Sequence, residues 1–353
     1  MKTNKEYLKI FQDERNISDA TIRLYTNSCK WFVKTIGLEL EHVIKMPISE
    51  LRKILINYRS KLYKDENLAV SSRKKYWESF LSILRHFDVL IPYLPKISLR
   101  EDNHIFFKDI PTMSHVKQVV EYVEKNESPE FLSLVLFQAS SGTARMECFD
   151  LKIRDFFSGF DIVCEDNKEA ISLSLKELLR GDLLVPLICF VRRKTNYPYY
   201  ILCSDEASRR ICSHLLMRHD LNLDDCLFSM SFNTMNSFYK RVNRVLNFPV
   251  VGKQLFFRSH SLRKMNACII KDVEFVNAIH GRKRSPVIEA YFKTDPTHIR
   301  NKYIEKYMSL LQVSPIKIIN NDYLGTISNM QLKDLLVLKK EIDIKVNELL
   351  NEE

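Results

Sequence analysis

The sequence predicts a mostly α protein of the α+β class, in which a helical domain precedes a larger domain that holds a small antiparallel sheet. Three observations predict it. Apolar residues recur at helical spacing over most of the chain. Two short β-like runs flank a basic turn. A chain of 353 residues also exceeds the ~200 that one hydrophobic core comfortably organises. The expected divisions are a helical domain over 1–95, a linker over 96–112, a main domain over 113–310 and a helical tail over 311–353.

The first domain reads as a set of amphipathic helices. Ser18 is placed to cap a helix with Ile22, Tyr25, Cys29, Phe32 and Val33 on one face, ended near Gly37. A second helix spans Ile48 to Tyr63. A third follows Ser71, with Tyr76, Phe80, Ile83, Leu84 and Phe87 at helical spacing. Arg73, Lys74 and Lys75 open that third helix with a surplus of positive charge, which favours contacts with phosphates over a merely solvated face. Pro92 and Pro95 close the module, and Asp109-Ile110-Pro111 ends the linker.

Helical patterns resume over Val116–Glu124, Phe131–Gln138, Arg145–Leu151 and Ser208–Arg218. The runs Leu187–Val191 and Tyr199–Leu202 form a hairpin around Arg192-Arg193-Lys194-Thr195-Asn196. The run Ile171–Leu175 fits either a strand or a helix. Near the end, Leu335, Leu338, Ile342, Val346 and Leu349 form a stripe on a late helix, which either packs on its own domain or is exchanged between protomers.

Composition excludes several function classes. Eight cysteines stand singly with no CxxC pair, and His214 and His219 are five apart and so on different faces of a helix. No metal site is expected, and the scattered thiols fit a reducing compartment. Only seven glycines occur, and none builds a phosphate-cradling loop. The opening MKTNKEYLKIFQDE has no signal-peptide character, and the longest apolar runs fall short of the ~18 residues that span a bilayer. A cytoplasmic, nucleoid-associated protein with no membrane partner is expected. The net charge of +10 points to a polyanion. That charge is concentrated: residues 251–310 hold 12 Lys and Arg against 5 Asp and Glu.

Phosphodiester transfer without a metal needs a nucleophile, fixed cations around the non-bridging oxygens and an acid for the leaving sugar oxygen. Guanidinium groups suit the second role, because their planar fork binds two oxygens and stays charged. Lysine in a cationic site suits the third. Such a set occurs in order along this chain. Arg145 follows Ser141-Gly142 at the start of a helix, and Lys194 lies in the hairpin turn. His260-Ser261-Leu262-Arg263 opens another helix, with His260 and Arg263 three apart on one face. Gly281-Arg282 comes next, then Tyr291. Each element alone has an ordinary reading as a core tyrosine, a helix-start ion pair or a solvated turn; their conjunction in this order carries the inference.

The order resembles that of the tyrosine recombinase (phage integrase) family, and the details are most similar to archaeal and archaeal-virus integrases. The stretches that carry the resemblance are Ser141-Gly142 through Arg145-Met146-Glu147, Leu151 and Asp155-Phe156; Arg193-Lys194-Thr195 with Ser204-Asp205-Glu206-Ala207; and His260-Ser261-Leu262-Arg263. Ile17-Ser18 with Thr21-Ile22 and Tyr25 resembles the start of that family's helical core-binding domain. The likeness covers about residues 5–305. One position departs: nine residues before the tyrosine the family commonly has His or Trp, and here stands Arg282, with His280 as the alternative occupant.

The resemblance implies a SAM-like helical core-binding domain and a catalytic domain that together form a C-shaped clamp on duplex DNA. It implies that Arg145 and Arg263 clamp the scissile phosphate, and that His260 supports it and moves the proton of Tyr291. Lys194 would protonate the leaving 5′ oxygen, Arg282 would stabilise the transition state, and Tyr291 would form a 3′-phosphotyrosyl link on the way to a Holliday junction. Glu147 would buttress Arg145. Arg73, Lys74, Lys75, Arg192, Arg193, Lys264, Lys283 and Arg284 would contact DNA. No cofactor or metal is implied; the partners are an attachment or recombination site in double-stranded DNA and three further copies of the chain. Two rivals share the pattern. One is a type IB-like topoisomerase; the other is a catalytically degenerate relative that binds DNA without turnover.

Overall fold

The computed structural model describes residues 2–95, 106–193, 195–282 and 295–314. The protein is mostly helical, with two small antiparallel sheets. It divides into two compact units, Met1–Ile105 and Phe106–Glu353.

The first unit contains α1 (Asn4–Glu14), α2 (Asp19–Ile36), α3 (Leu40–Ile44), α4 (Ile48–Lys64) and α5 (Val70–His86). The sequence reading began its helices at Ser18 and missed α1, whose start is a capping box between Thr3 and Glu6. Ser18 does stand at the N-cap of α2, but its hydroxyl donates to Thr21 Oγ1 instead of capping the backbone. Gly37 ends α2 at φ +82°, a left-handed conformation that glycine adopts without steric cost. The helices close around aromatic rings: Phe32 stacks on Phe80 at 4.1 Å, and Tyr58 meets Phe32 edge-on at 4.9 Å.

The second unit is organised by α7 (Pro129–Ser141), in which every residue from Phe131 to Ser141 is buried. A helix buried on all sides and largely apolar belongs inside a core. It packs against α6 (Met113–Asn126), α11 (Asp205–Leu216) and α13 (Ser259–Ile270). Short helices α8 (Arg145–Asp150) and α9 (Ile153–Ser158) follow α7. The ambiguous run Ile171–Leu175 is helical, inside α10 (Lys168–Arg180). Ile171 and Leu175, one turn apart, face the core, and Asn167 caps the helix.

The hairpin pairs β1 (Ile188–Arg192) with β2 (Tyr197–Ile201), setting Ile188 opposite Ile201 and Arg192 opposite Tyr197. Arg192 is therefore the last residue of a strand and not part of the turn. A helix absent from the sequence reading, α12 (Phe232–Val245), carries Met235, Phe238, Tyr239 and Val242 on its buried face. Next come β3 (Val250–Val251), β4 (Gln254–Leu255), α13 and α14 (Val273–Ile279).

The helix Pro296–Lys302 and the two turns after it pack onto α13 and α14 through Ile299, Tyr303 and Met308. Tyr303 is fully buried and donates to the carbonyl of Ser140 at 3.0 Å. The Glu206 carboxylate accepts the Val313 N–H at 2.7 Å and the Ser314 hydroxyl at 2.8 Å. The predicted stripe Leu335–Leu349 lies outside the described residues, as does most of the predicted linker. Among the described residues no helix is long and apolar enough to cross a membrane.

Candidate functional site

The site starts where α7 stops. Gly142 takes φ +64° at the C-cap of α7, and the chain turns at once into α8, whose first residue is Arg145. A Cβ at Gly142 would lie 2.1 Å from His280 Nε2, so the residue must be glycine for steric as well as conformational reasons. The guanidinium of Arg145 lies over the Phe232 ring at 4.2 Å, and its Nη1 donates to Asn236 Oδ1 at 2.9 Å. Both anchors belong to α12.

Glu147 was expected to buttress Arg145, and the structure places its carboxylate elsewhere. One oxygen accepts the Ala144 N–H at 2.8 Å, closing the first turn of α8. The other accepts Arg192 Nε at 2.6 Å, and Arg263 Nη1 stands 3.7 Å from the carboxylate. Glu147 is buried, so these two guanidiniums compensate a charge that would otherwise be costly.

Arg263 and Arg192 tie three segments together. Arg263, itself buried, donates to the carbonyls of Gly142 at 2.7 Å and His280 at 2.5 Å. Arg192 donates to the carbonyls of His280 and Gly281, each at 3.2 Å. The loop before α8, the end of β1 and residues 280–282 are thereby held in one place. Gly281 sits against the Tyr199 ring, where a Cβ would come within 2.6 Å.

His280 and Arg282, the two candidates for one position, face opposite environments. His280 is fully buried, with Nε2 2.9 Å from Asn266 Oδ1; Asn266 in turn donates to the carbonyls of Ala139 and Ser140. Burial, and then the charges of Arg263 and Arg282, hold the His280 imidazole down to about 2, so it is neutral at working pH. Arg282 is exposed. His260, in the first turn of α13, is also exposed. Packing around its ring, then the charges of Lys264, Arg258, Arg263 and Arg282, hold it below the usual histidine range.

Charge at this site is one-sided. Among the described residues no carboxylate pairs with Arg145, Arg258 or Arg282, whereas Glu147 serves Arg192 and Arg263 together. Burial, then proximity to Arg145, makes Arg258 easier to deprotonate than a free arginine, and burial does the same to Arg263. The arrangement suits an oxyanion: cations with neutral anchors, next to the exposed His260 imidazole, which packing and the surrounding cations hold below the usual histidine range. Two solved recombinase structures are similar to this chain. One is the XerA recombinase, 18% identical over 86% of this chain and 98% of that one, with a TM-score of 0.34. The other is the XerH site-specific recombinase bound to difH substrate in a pre-cleavage complex. It is 14% identical, covers 87% of this chain and 85% of that one, and has a TM-score of 0.49. No protein-family model matches the chain, and no curated protein does.

The remaining predicted residues divide clearly. Lys194, Lys283, Arg284 and Tyr291 lie outside the described residues. Arg192, expected to face DNA, turns inward as described above. Arg73 donates to the carbonyls of Leu68 at 2.9 Å and Tyr63 at 2.7 Å, fastening the loop between α4 and α5. Lys74 and Lys75 are exposed beside it. Arg193 is highly exposed and 3.1 Å from Asp150, a contact of the kind that contributes little in water. Lys264 is half-buried next to His260. No group of three or more metal-ligating side chains occurs among the described residues.

Sequence reading missed Phe232, Asn236 and Arg258. The signal for the first two was present: Ser231 caps the helix, and Met235, Phe238, Tyr239 and Val242 recur at helical spacing. Arg258 stands two residues before His260 with nothing in the local pattern to mark it.

Proposed function

We propose that this protein is a site-specific tyrosine recombinase, which cleaves and rejoins duplex DNA through a 3′-phosphotyrosyl intermediate and a Holliday junction. The observation that carries the reading is the excess of positive charge about His260: after packing around the ring, Arg258, Arg263 and Arg282 lie close enough to hold its imidazole below the usual histidine range. Arg263 is fixed on the Gly142 and His280 carbonyls, and Arg145 is held by neutral anchors at the start of α8. Phosphoryl transfer through a pentacoordinate phosphorus accumulates negative charge on non-bridging oxygens, which fixed guanidiniums stabilise.

In this reading the Tyr291 hydroxyl attacks the scissile phosphorus while His260 accepts its proton. The bond to the 5′ oxygen breaks, and Lys194 gives that oxygen a proton. Rejoining runs the same steps backwards with a different 5′ hydroxyl, so the energy of the broken bond is kept and no nucleotide is consumed. Arg282 occupies the fifth position, since His280 is buried against Asn266 with no exposed face. Double-stranded DNA is the partner. Four copies of the chain on two duplexes would carry out paired exchanges, with residues 1–95 as core-binding domain and 113–310 as catalytic domain.

The test is trapping on nicked duplexes that release the fragment downstream of the cut, in the absence of metal, followed by peptide mapping. An adduct on Tyr291 is expected. Tight DNA binding without any adduct across a library of sites would favour a binding-only relative. Relaxation of supercoils without site preference would favour the topoisomerase.

A further inference from the structure

Several arginines on the second unit pair with a carboxylate. Arg209 pairs with Asp205, Arg210 with Glu124, Arg218 with Asp225 and Arg241 with Glu127, at 2.6–3.3 Å. Among the described residues Arg145 and Arg258, like Arg180, Arg244, Arg282 and Arg300, have no such partner, and the anchors of Arg145 and Arg258 share one property. Arg145 is held by a phenyl ring and an amide oxygen, Phe232 and Asn236. Arg258 is held by another amide, its Nη1 donating to Gln254 Oε1 at 2.9 Å. Every anchor is neutral, so both positive charges are kept whole.

The backbone at Arg258 is fixed from both sides. Phe257 exchanges two hydrogen bonds with the Asn243 side chain, at 2.9 and 2.6 Å, and the Ser259 hydroxyl accepts from Gln138 at 2.9 Å. Asn236 holds the Arg145 guanidinium, and Asn243 holds the backbone of the residue before Arg258. The two are seven residues apart on α12, so their attachment points lie about two turns, roughly 10 Å, apart on one helix. Arg258 lies close enough to Arg145 to feel its charge. It is half-buried, and its Nε is shielded from solvent with no acceptor among the described residues. A guanidinium N–H in that state lacks an oxygen.

We propose that Arg258 is a second guanidinium of the oxyanion site at Arg145, and that a terminal nitrogen of it contacts the same backbone phosphodiester of DNA that Arg145 contacts. This rests on the recombinase reading for the identity of the phosphate, while the anion site itself does not depend on it. Holding two guanidiniums together without an anion costs repulsion in the free protein, and a bound oxyanion removes that cost.

Inorganic sulfate is the first probe, in thermal unfolding of the full chain against chloride at matched ionic strength. The wild type should gain more from sulfate than from chloride. Arg258→Gln should melt at the same or a higher temperature without sulfate and lose most of the sulfate-specific gain, and Arg258→Lys should keep part of it. A variant that melts lower without sulfate and keeps the full gain would make Arg258 a structural residue and overturn the proposal. On DNA, Arg258→Gln should slow single-turnover cleavage on the order of 10²-fold. It should also reduce the salt slope of duplex binding by about 1. Cleavage at the wild-type rate would overturn the proposal and leave the recombinase reading standing. Absence of cleavage by the wild type would remove the recombinase reading, and the sulfate result would still decide Arg258.

Discussion

Glu147 Oε1 receives Arg192 Nε at 2.6 Å, and through this pair the end of strand β1 is bound to the first turn of α8. The same carboxylate lies 3.7 Å from Arg263, so one buried acid balances two guanidiniums that hold the His280 and Gly281 carbonyls. Removing the acid leaves both cations without their counter-charge in a largely dry environment. Glu147→Gln is expected to lower stability by about 3 kcal/mol, the scale of breaking one side of a buried pair. Urea unfolding measures it, and a variant as stable as wild type would mean that water already compensates these guanidiniums.

Two glycines with left-handed backbones should respond differently to the same substitution. At Gly37, φ is +82° and no atom lies within 4 Å of an added Cβ, so alanine there carries only the conformational strain, about 1 kcal/mol. At Gly142, φ is +64° and the added Cβ would overlap the buried His280 ring. The strain adds to an overpacking cost, for a total of roughly 3 kcal/mol. Equal losses for Gly37→Ala and Gly142→Ala in denaturant titrations would refute the close approach of the Gly142 loop to His280.

His280 makes folding sensitive to acid. Its folded value is depressed to about 2 from 6.5, so the unfolded chain binds a proton that the folded chain refuses. The stability this group contributes is fully present above pH 6.5 and is lost as pH falls from there toward 2. Between pH 7 and pH 5, a window above most carboxylate titration, the loss should reach about 2 kcal/mol from this residue. His280→Gln, which keeps a donor for Asn266, should show a shallower decline over that window. Parallel declines would mean that the imidazole is free to protonate in the folded state.

Much of the helical frame was legible because burial imposes a period on the sequence. The largely apolar Phe131–Gln138 read as a core helix, and the hairpin announced itself by β-like runs on either side of a basic turn. Ile171–Leu175 was ambiguous because five residues do not separate a period of 2 from one of 3.6; Asn167 as a cap and Ile171 with Leu175 on one face resolve it in favour of helix. The candidate site residues were named from their order along the chain, and their connections were not legible there. Arg145 and Glu147 look like partners two residues apart, yet helix geometry sends them in different directions, to α12 and to β1. Arg192 resembles a surface cation because its neighbours in sequence are basic, while its strand position aims it at buried carbonyls. Such long-range pairings leave no local trace.

Asn236 offers a way to separate holding Arg145 from keeping it charged. Asn236 Oδ1 accepts from Arg145 Nη1 at 2.9 Å, and a carboxylate at the same position would accept the same hydrogen bond with added charge. A charge-assisted bond is stronger than a neutral one, so Asn236→Asp should leave the protein as stable as wild type or more so. The same carboxylate would neutralise the guanidinium that the proposed reaction requires for its phosphate. Cleavage should therefore fall on the order of 10²-fold, the cost of losing one transition-state donor. Asn236→Ala should behave in the opposite sense, with some stability lost and a smaller fall in rate, because Arg145 still rests on Phe232 with its charge intact. Melting temperature and single-turnover rate, measured on both variants, decide the matter. If Asp and Ala change the two quantities in parallel, Asn236 is a packing residue. If the Asp variant is stable and slow, the neutrality of the anchor is what the site needs.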